Sequence, residues 1–145
     1  MPSGLWRPDA FLKMKEHRLS LILLADRLAV CRLDGEAPVP DWAMRAGFFS
    51  ITRTGEELSV VCREVLVPDG IRAEWGWRAL RVAGVLEFTL VGVLASLTAV
   101  LAEAGISLFA LSTFDTDYLL VKEHELGGAI EGLLAAGHAV HGLDG

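Results

Sequence analysis

Apolar residues recur at helical spacing in two stretches of the chain. In the first, which begins at Gly92, they are Val93, Leu94, Leu97, Val100, Leu101 and Ala104. This period predicts an amphipathic helix, and Gly105 follows where a left-handed residue would end it. The second stretch contains Leu126, Ala129, Ile130, Leu133 and Leu134, and Gly137 follows it. The pattern therefore predicts two helices that each bury one face.

Runs rich in β-branched residues surround these helices. Ile106 to Thr113 and Thr116 to Val121 predict two strands around a short polar turn at Phe114 and Asp115. Arg78 to Val82 predicts a strand before the first helix, and His138 to His141 predicts a short last strand. The second half of the chain therefore has the predicted order β-α-β-β-α-β.

The first half has a less regular pattern. Leu19 to Asp34 predicts two strands around a turn at Asp26–Arg27, and Pro40 to Ala46 predicts a short helix. Phe48 to Thr54 and Glu57 to Glu64 predict a hairpin with Gly at its turn. The order β-β-α-β-β is an incomplete or rearranged copy of the second half.

Length and composition fit a compact protein of two small units. The chain has 145 residues, of which 52% are hydrophobic and 22% charged, as expected for a well-filled globular interior. Pro68-Asp69-Gly70 marks a boundary, which predicts an N-terminal segment (residues 1–18), a first unit (19–70) and a second unit (71–145). Each unit would be marginal alone, so we expect the two to pack side by side.

Several functional classes have little support in the sequence. A net charge of −6 without a basic stripe argues against a nucleic-acid partner. The 15 uncharged residues from Phe88 to Ala102 fall short of the roughly 20 that span a bilayer, so no membrane partner is expected. Cys31 and Cys62 predict two buried thiols in a reducing compartment, and no secretory signal opens the chain. These features predict a cytoplasmic protein.

Catalysis also has little support. His138 and His141 would point to opposite faces of a strand, and no cysteine or acidic cluster accompanies them. We interpret them as surface or end-of-strand histidines. No nucleophile motif, phosphate-binding loop or dinucleotide fingerprint is present. The sequence predicts neither a catalytic residue, nor a metal site, nor a cofactor, and hence no enzyme.

The residues that could bind a ligand lie around Gly92 and in Ser112–Asp117. A glycine at a strand-to-helix turn lets the backbone approach a ligand, and the free N–H groups of the first helical turn favour an anion. The amides of Gly92, Val93 and Leu94 could hold a carboxylate, while Asp117 or the hydroxyls of Ser112 and Thr113 hold an ammonium. A free amino acid carries both charges. The alternative is that Gly92 is only a turn glycine and that the hairpin turn caps itself.

The same residues carry a family resemblance. Gly92 opens the first helix and Gly105–Ile106 closes it, which resembles an ACT domain, the small βαββαβ module that senses amino acids. The stretch Ser112 to Glu123 is similar to the tandem-ACT group that includes the cytosolic arginine sensors. The resemblance covers roughly Leu19 to His141 and is strongest from Trp77 onward. It implies an α+β fold of two ferredoxin-like ACT units, the first degenerate, packed side by side.

This resemblance also implies a function and a site. The function is regulatory binding of a free amino acid between ACT domains of a homodimer; a dimerisation module with a vestigial site is the alternative. The implied ligand-binding residues are Leu90, Val91, Gly92, Val93, Leu94, Ser112, Thr113, Phe114 and Asp117. Since the positions before Gly92 are apolar and Glu87 is the only acid in that loop, we expect a small or apolar amino acid rather than arginine.

Overall fold

A computed structural model describes residues 18–83 and 92–142 of the chain. The predictions for Glu87, Leu90 and Val91 therefore fall outside the described residues, as does the predicted N-terminal segment except for Arg18. The strands are β1 (Ser20–Asp34), β2 (Phe49–Arg53), β3 (Glu57–Arg63), β4 (Arg72–Val82), β5 (Leu108–Ser112), β6 (Asp117–Lys122) and β7 (Ala139–Gly142). The α-helices within these ranges are α1 (Val93–Glu103) and α2 (Leu126–Ala135).

The described strands form one sheet in the order β2-β3-β1-β4-β6-β5, and β7 pairs with β1. Neighbouring strands are antiparallel, except that β7 runs parallel to the start of β1. The predicted α+β fold class is confirmed. The order β4-α1-β5-β6-α2-β7 is also the βαββαβ order predicted for the second half. The predicted helix after Pro40 is a 3-10 turn, Asp41–Met44.

Strand β1 is shared by the two halves of the chain. Its first residues, Leu21–Leu23, lie between β4 and β7, and its later part lies between β3 and β4. A strand from the first half is therefore paired between two ACT-like strands of the second half. The two units are continuous through hydrogen-bonded backbone instead of meeting only through side chains.

The predicted turn at Asp26–Arg27 is wrong, because β1 continues through it. The pairing with β4 shifts register between Leu23 and Arg27, which is a bulge-type irregularity in a continuous strand. Asp26 lies 3.3 Å from the guanidinium of Arg63, and Arg27 lies 2.7 Å from the carboxylate of Glu123. Polar residues that indicate a turn locally are accommodated in the strand by partners far along the chain.

The core has three parts. Both helices cover one face of the sheet, where Leu80, Leu97 and Leu119 are fully buried. A second cluster in the first half includes Leu58 and Val60, and a third lies around Trp77 on another part of the sheet surface. Burying each Leu or Val side chain stabilises the fold by roughly 1.5–3 kcal/mol. Residues of β4 take part in all three clusters.

The two cysteines are buried free thiols, as the sequence predicted. Cys31 and Cys62 lie in the same apolar cluster on paired strands. A hydrogen bond to Cys62 and burial raise the pKa of the Cys31 thiol well above its usual range. This thiol therefore stays protonated and behaves as a small apolar residue with a weak donor.

Candidate functional site

The predicted site begins at Gly92, directly before α1. Gly92 has a left-handed backbone with φ of 83°, a conformation that costs a residue with a Cβ about 1–2 kcal/mol. Its carbonyl accepts the first helical hydrogen bond from the Ser96 N–H at 2.8 Å. The helix start has no side-chain cap. Within the described residues, no side-chain cap therefore competes with an anion for the N–H groups of its first turn.

The turn between β5 and β6 is fixed to the end of β4. The Thr113 N–H donates to the Thr116 carbonyl at 2.8 Å, and the Thr116 N–H donates back to the Thr113 hydroxyl at 3.3 Å. The buried Thr116 hydroxyl donates to the Val82 carbonyl at 2.7 Å. These are bonds of a self-capping turn, the alternative that the sequence left open. They also hold the turn beside the strand that precedes the Gly92 loop in the chain.

Asp117 and Ser112 lie opposite each other on β6 and β5. The Ser112 hydroxyl donates to Asp117 Oδ1 at 2.6 Å. Asp117 is half-buried, whereas Ser112, Thr113 and Phe114 are exposed. A carboxylate can accept several hydrogen bonds, so Asp117 has capacity for a further donor such as an ammonium.

The structure brings the two parts of the predicted site to one end of the sheet. Val93 is buried in the same cluster as Val82 and Leu119, and Leu94 packs against that cluster. The start of α1 therefore shares a buried cluster with Val82 at the end of β4, whose carbonyl accepts the Thr116 hydroxyl. A ligand that bridges the two parts of the site stays a prediction.

His138 lies at the end of a strand, as predicted, but it is buried with 5% exposure. Its Nδ1 accepts a hydrogen bond from the Leu19 N–H at 3.1 Å. Burial lowers the pKa of His138 from 6.5, so the ring is neutral and carries its proton on Nε2. Of the two predicted alternatives, His138 therefore fits the end-of-strand position and not the surface position, while His141 is exposed.

The neighbourhood of His138 does not form a nucleophile–base pair. His138 and Ser96 line the same cavity of about 260 Å³. The Ser96 hydroxyl donates to the Val93 carbonyl at 3.0 Å. Because the Nδ1 lone pair already accepts the Leu19 N–H and Nε2 carries the proton, this imidazole cannot take a proton from Ser96.

Sequence reasoning missed a cluster of ion pairs beside the middle of β4. Arg27 lies 3.3 Å from Glu64 and 2.7 Å from Glu123, and Arg78 lies 3.4 Å from Glu123. The Gly76 N–H donates to the same Glu64 carboxylate at 3.0 Å. The available signal was the presence of single charges inside apolar strand runs, but their partners are distant in sequence.

Metal binding requires grouped ligand side chains, and membrane insertion requires a long apolar helix. Within residues 18–83 and 92–142, no three His, Cys, Asp or Glu side chains are grouped so that they could hold a metal ion. Neither of the two α-helices described has the length and hydropathy needed to span a membrane.

Two sequence families match the chain. The ACT-domain family matches residues 72–134, which run from β4 to α2. A family described only as an N-terminal domain matches residues 26–70. None of the curated proteins matches the sequence. The ACT resemblance predicted from Gly92 and Gly105 is confirmed, whereas the closer likeness to the arginine sensors stays a prediction.

Solved structures share the fold over nearly the whole chain. An Agobacterium tumefaciens protein is 35% identical with a TM-score of 0.84, and the match covers 89% of this chain and 96% of that one. A Vibrio cholerae protein of unknown function, described as a possible transport protein, is 20% identical with a TM-score of 0.69 over 86% and 92%. The regulatory subunit of aspartate kinase from Thermus flavus is 12% identical with a TM-score of 0.57 over 83% and 99%. The last two share the fold alone.

Proposed function

This chain belongs to the family of the Agobacterium tumefaciens protein and carries an ACT domain, and from this premise we propose that it is a non-catalytic regulatory protein that binds a free amino acid. The ligand would lie between ACT domains of a homodimer. The aspartate kinase regulatory subunit supports this proposal only through its fold. The support for amino-acid binding must therefore come from the charges and hydrogen bonds of the residues of this chain.

The observation that carries the proposal is the pairing of two opposite electrostatic features at one end of β4. The uncapped start of α1 after Gly92 favours an anion by about 0.3–1 kcal/mol in exposed sites. The half-buried Asp117 carboxylate, oriented by Ser112, suits a cation; a hydrogen bond to a charged group contributes about 1.5–3 kcal/mol. A zwitterion of amino-acid size presents both charges.

A second copy of the chain would complete the site. Strand β5 is at the end of the sheet order, with β6 as its partner within the described chain. Ala110 and Ser112 on β5 are exposed. An unpaired strand edge is a ready template for another chain, and a two-fold axis would cover the same edge on both copies. This arrangement would place the Ser112–Asp117 pair near the interface.

We propose a small or apolar amino acid as the ligand. The residues directly before Gly92 are Leu90 and Val91, and an apolar lining would desolvate a guanidinium without replacing its water. The resemblance to the arginine sensors favours arginine instead. A competition assay decides: arginine displacing every other amino acid at micromolar concentration would contradict the proposal and indicate Glu87 as its partner.

The alternative function is a dimerisation module with a vestigial site. The self-bonded turn at Thr113–Thr116 favours it, because this turn requires no ligand for its stability. A thermal-shift panel of the twenty amino acids separates the two functions. A ligand that binds only the folded state at a hundred times its Kd stabilises it by about 2.7 kcal/mol and raises Tm. An unchanged Tm with all twenty would support the vestigial site.

A further inference from the structure

An open cleft of about 480 Å³ lies beside the missed ion-pair cluster. It is lined by Arg27, Trp75, Gly76, Lys122, Glu123 and His124. This volume falls within the range of small-molecule sites, about 300–1,000 Å³. Gly76 and Val82 are six residues apart on β4, which is roughly 20 Å at about 3.3 Å per residue. The cleft is therefore a different place from the predicted amino-acid site.

Arg27 presents an oriented guanidinium to this cleft. Its shortest ion-pair contacts, to Glu64 and Glu123, both run through Nε. Its side chain is 53% exposed, and its terminal nitrogens donate no hydrogen bond among the described residues. Two carboxylates on one side thus fix the guanidinium plane and leave its outer N–H groups for an acceptor. A planar fork of this kind suits a carboxylate.

Lys122 is a second positive charge held in a fixed position. Its Nζ donates to the Trp75 carbonyl at 2.6 Å and to Glu74 at 3.4 Å. The same nitrogen lies 4.8 Å from the centre of the Trp77 ring, a cation–π distance. An ammonium that is already ordered loses little entropy on binding an anion.

Two basic residues and one acid are among the described residues that line the cleft, and Glu64 and Glu74, which do not line it, contact the two basic side chains. Among the described lining residues Glu123 is the one acid, and both Arg27 and Arg78 lie within ion-pair distance of it. Arg27 and Lys122 both contribute positive charge to the lining.

Trp75 gives the cleft a flat apolar wall. Its side chain is 44% exposed, which is high for the largest apolar side chain. Gly76 follows with φ of 75°, and the position that a Cβ would take there lies 3.5 Å from Nη2 of Arg27. The shift in register between β1 and β4 at Leu28 and Val30 lies next to these two residues. A bulge of this kind changes the direction in which a side chain points, and bulges are frequent beside functional sites.

We propose that this cleft binds a small aromatic carboxylate. The carboxylate would accept hydrogen bonds from the Arg27 terminal nitrogens and from Lys122, and the ring would stack on Trp75. Arg27, Trp75 and Lys122 come from β1, β4 and β6, so the ligand would bridge both halves of the chain. This site is independent of the proposed amino-acid function.

A titration with benzoate, followed through the NMR signal of the Gly76 amide, tests the proposal. We expect saturable binding by benzoate and at least tenfold weaker binding by benzamide, which has the ring without the charge. Arg27→Gln should weaken benzoate binding about tenfold through loss of a charged hydrogen bond. Arg45→Gln is the matched control, because Arg45 is an exposed arginine outside the lining and its removal should change nothing.

A second variant separates binding from folding. Trp75→Leu leaves every ion pair of the cluster in place and should also weaken benzoate binding several-fold. Asp117→Ala should leave benzoate binding unchanged, so that loss of the amino-acid site and loss of the cleft are distinguishable. No saturable shift at Gly76, or equal binding of benzoate and benzamide, would overturn the proposal.

Discussion

Asp117 shows how the setting of one residue decides between a structural and a binding role. Its carboxylate accepts the Ser112 hydroxyl at 2.6 Å and stands at the start of a strand whose residues Leu119, Leu120 and Val121 are fully buried. One neutral donor satisfies only part of what a carboxylate can accept. A half-buried carboxylate that can accept further hydrogen bonds fits a cation-binding site.

We predict that Asp117→Ala abolishes amino-acid binding and leaves the fold intact. Removing one member of a desolvated charge pair costs about 2–5 kcal/mol of binding free energy. Isothermal titration calorimetry measures this loss. Asp115→Ala, an exposed acid in the same turn, is the control and should bind as the native protein does. Unchanged affinity in Asp117→Ala would show that the carboxylate is structural.

A second residue-scale prediction concerns His138. Burial lowers its pKa from 6.5 in the folded state, so below that pH the unfolded chain binds more protons than the native one. Its contribution to stability is therefore complete above about pH 6.5 and is lost as pH falls toward the lower folded pKa. Protonation of Nδ1 would also break the bond from Leu19.

Urea unfolding at pH values between 8 and 5 measures this dependence. We expect His138→Gln to flatten the fall in unfolding free energy below pH 6.5. His141→Gln, at an exposed position on β7, should retain the slope of the native protein. An identical slope in all three proteins would contradict the assignment to His138.

Among the elements, local patterns predicted the helices and the hairpins but not the long strands. The apolar period after Gly92 and the turn at Gly55 both act between near neighbours, and α1 and the β2–β3 hairpin formed as predicted. The turn predicted at Asp26–Arg27 failed because Glu64 and Glu123 neutralise Arg27 from distant parts of the chain. Pairing between remote elements is not visible in a local window.

The start of strand β4 was also not predictable from a local stretch of sequence. It begins at Arg72, not Arg78 as predicted, because Gly76 lets the strand bulge at Trp75 and then resume. Gly76 has φ of 75°, which favours glycine. Gly76, which lies before the predicted strand start at Arg78, is therefore part of the strand.

We predict that Gly76→Ala destabilises the fold by about 1–2 kcal/mol, the cost of a left-handed conformation for a residue with a Cβ. Gly55→Ala is the matched control in a hairpin turn: Gly55 lacks the left-handed φ, and its added Cβ would meet nothing within 4 Å. Chemical denaturation compares the two free energies of unfolding. Equal stabilities would indicate that β4 relaxes around residue 76 without strain.

For the whole molecule, the sharing of β1 is the main feature that the sequence did not predict. The placement of the candidate site was partly predictable, since Val93, next to Gly92, lies in the same buried cluster as Val82, whose carbonyl accepts the Thr116 hydroxyl. The cleft at Arg27 was not, because it forms where β1, β4 and β6 come together. Sites within one supersecondary unit leave a sequence pattern; sites between units do not.

We predict that the protein is a homodimer through the edge of β5. Light scattering should give a mass of two chains, and Ala110→Glu should shift it toward one by placing like charges on both sides of the edge. Ala46→Glu adds the same charge at an exposed loop position and should leave the dimer intact. A concentration-independent mass of one chain in the native protein would contradict the dimer.

The most direct test of the regulatory account is to locate a bound amino acid by backbone amide chemical shifts. The native protein is titrated with the amino acid that most raises Tm. We predict saturable shifts concentrated in Gly92–Leu94 and Ser112–Asp117, and their absence in Asp117→Ala. If none of the twenty amino acids shifts these amides, or if the shifts centre on Arg27 and Trp75 instead, an amino-acid site at the start of α1 is contradicted.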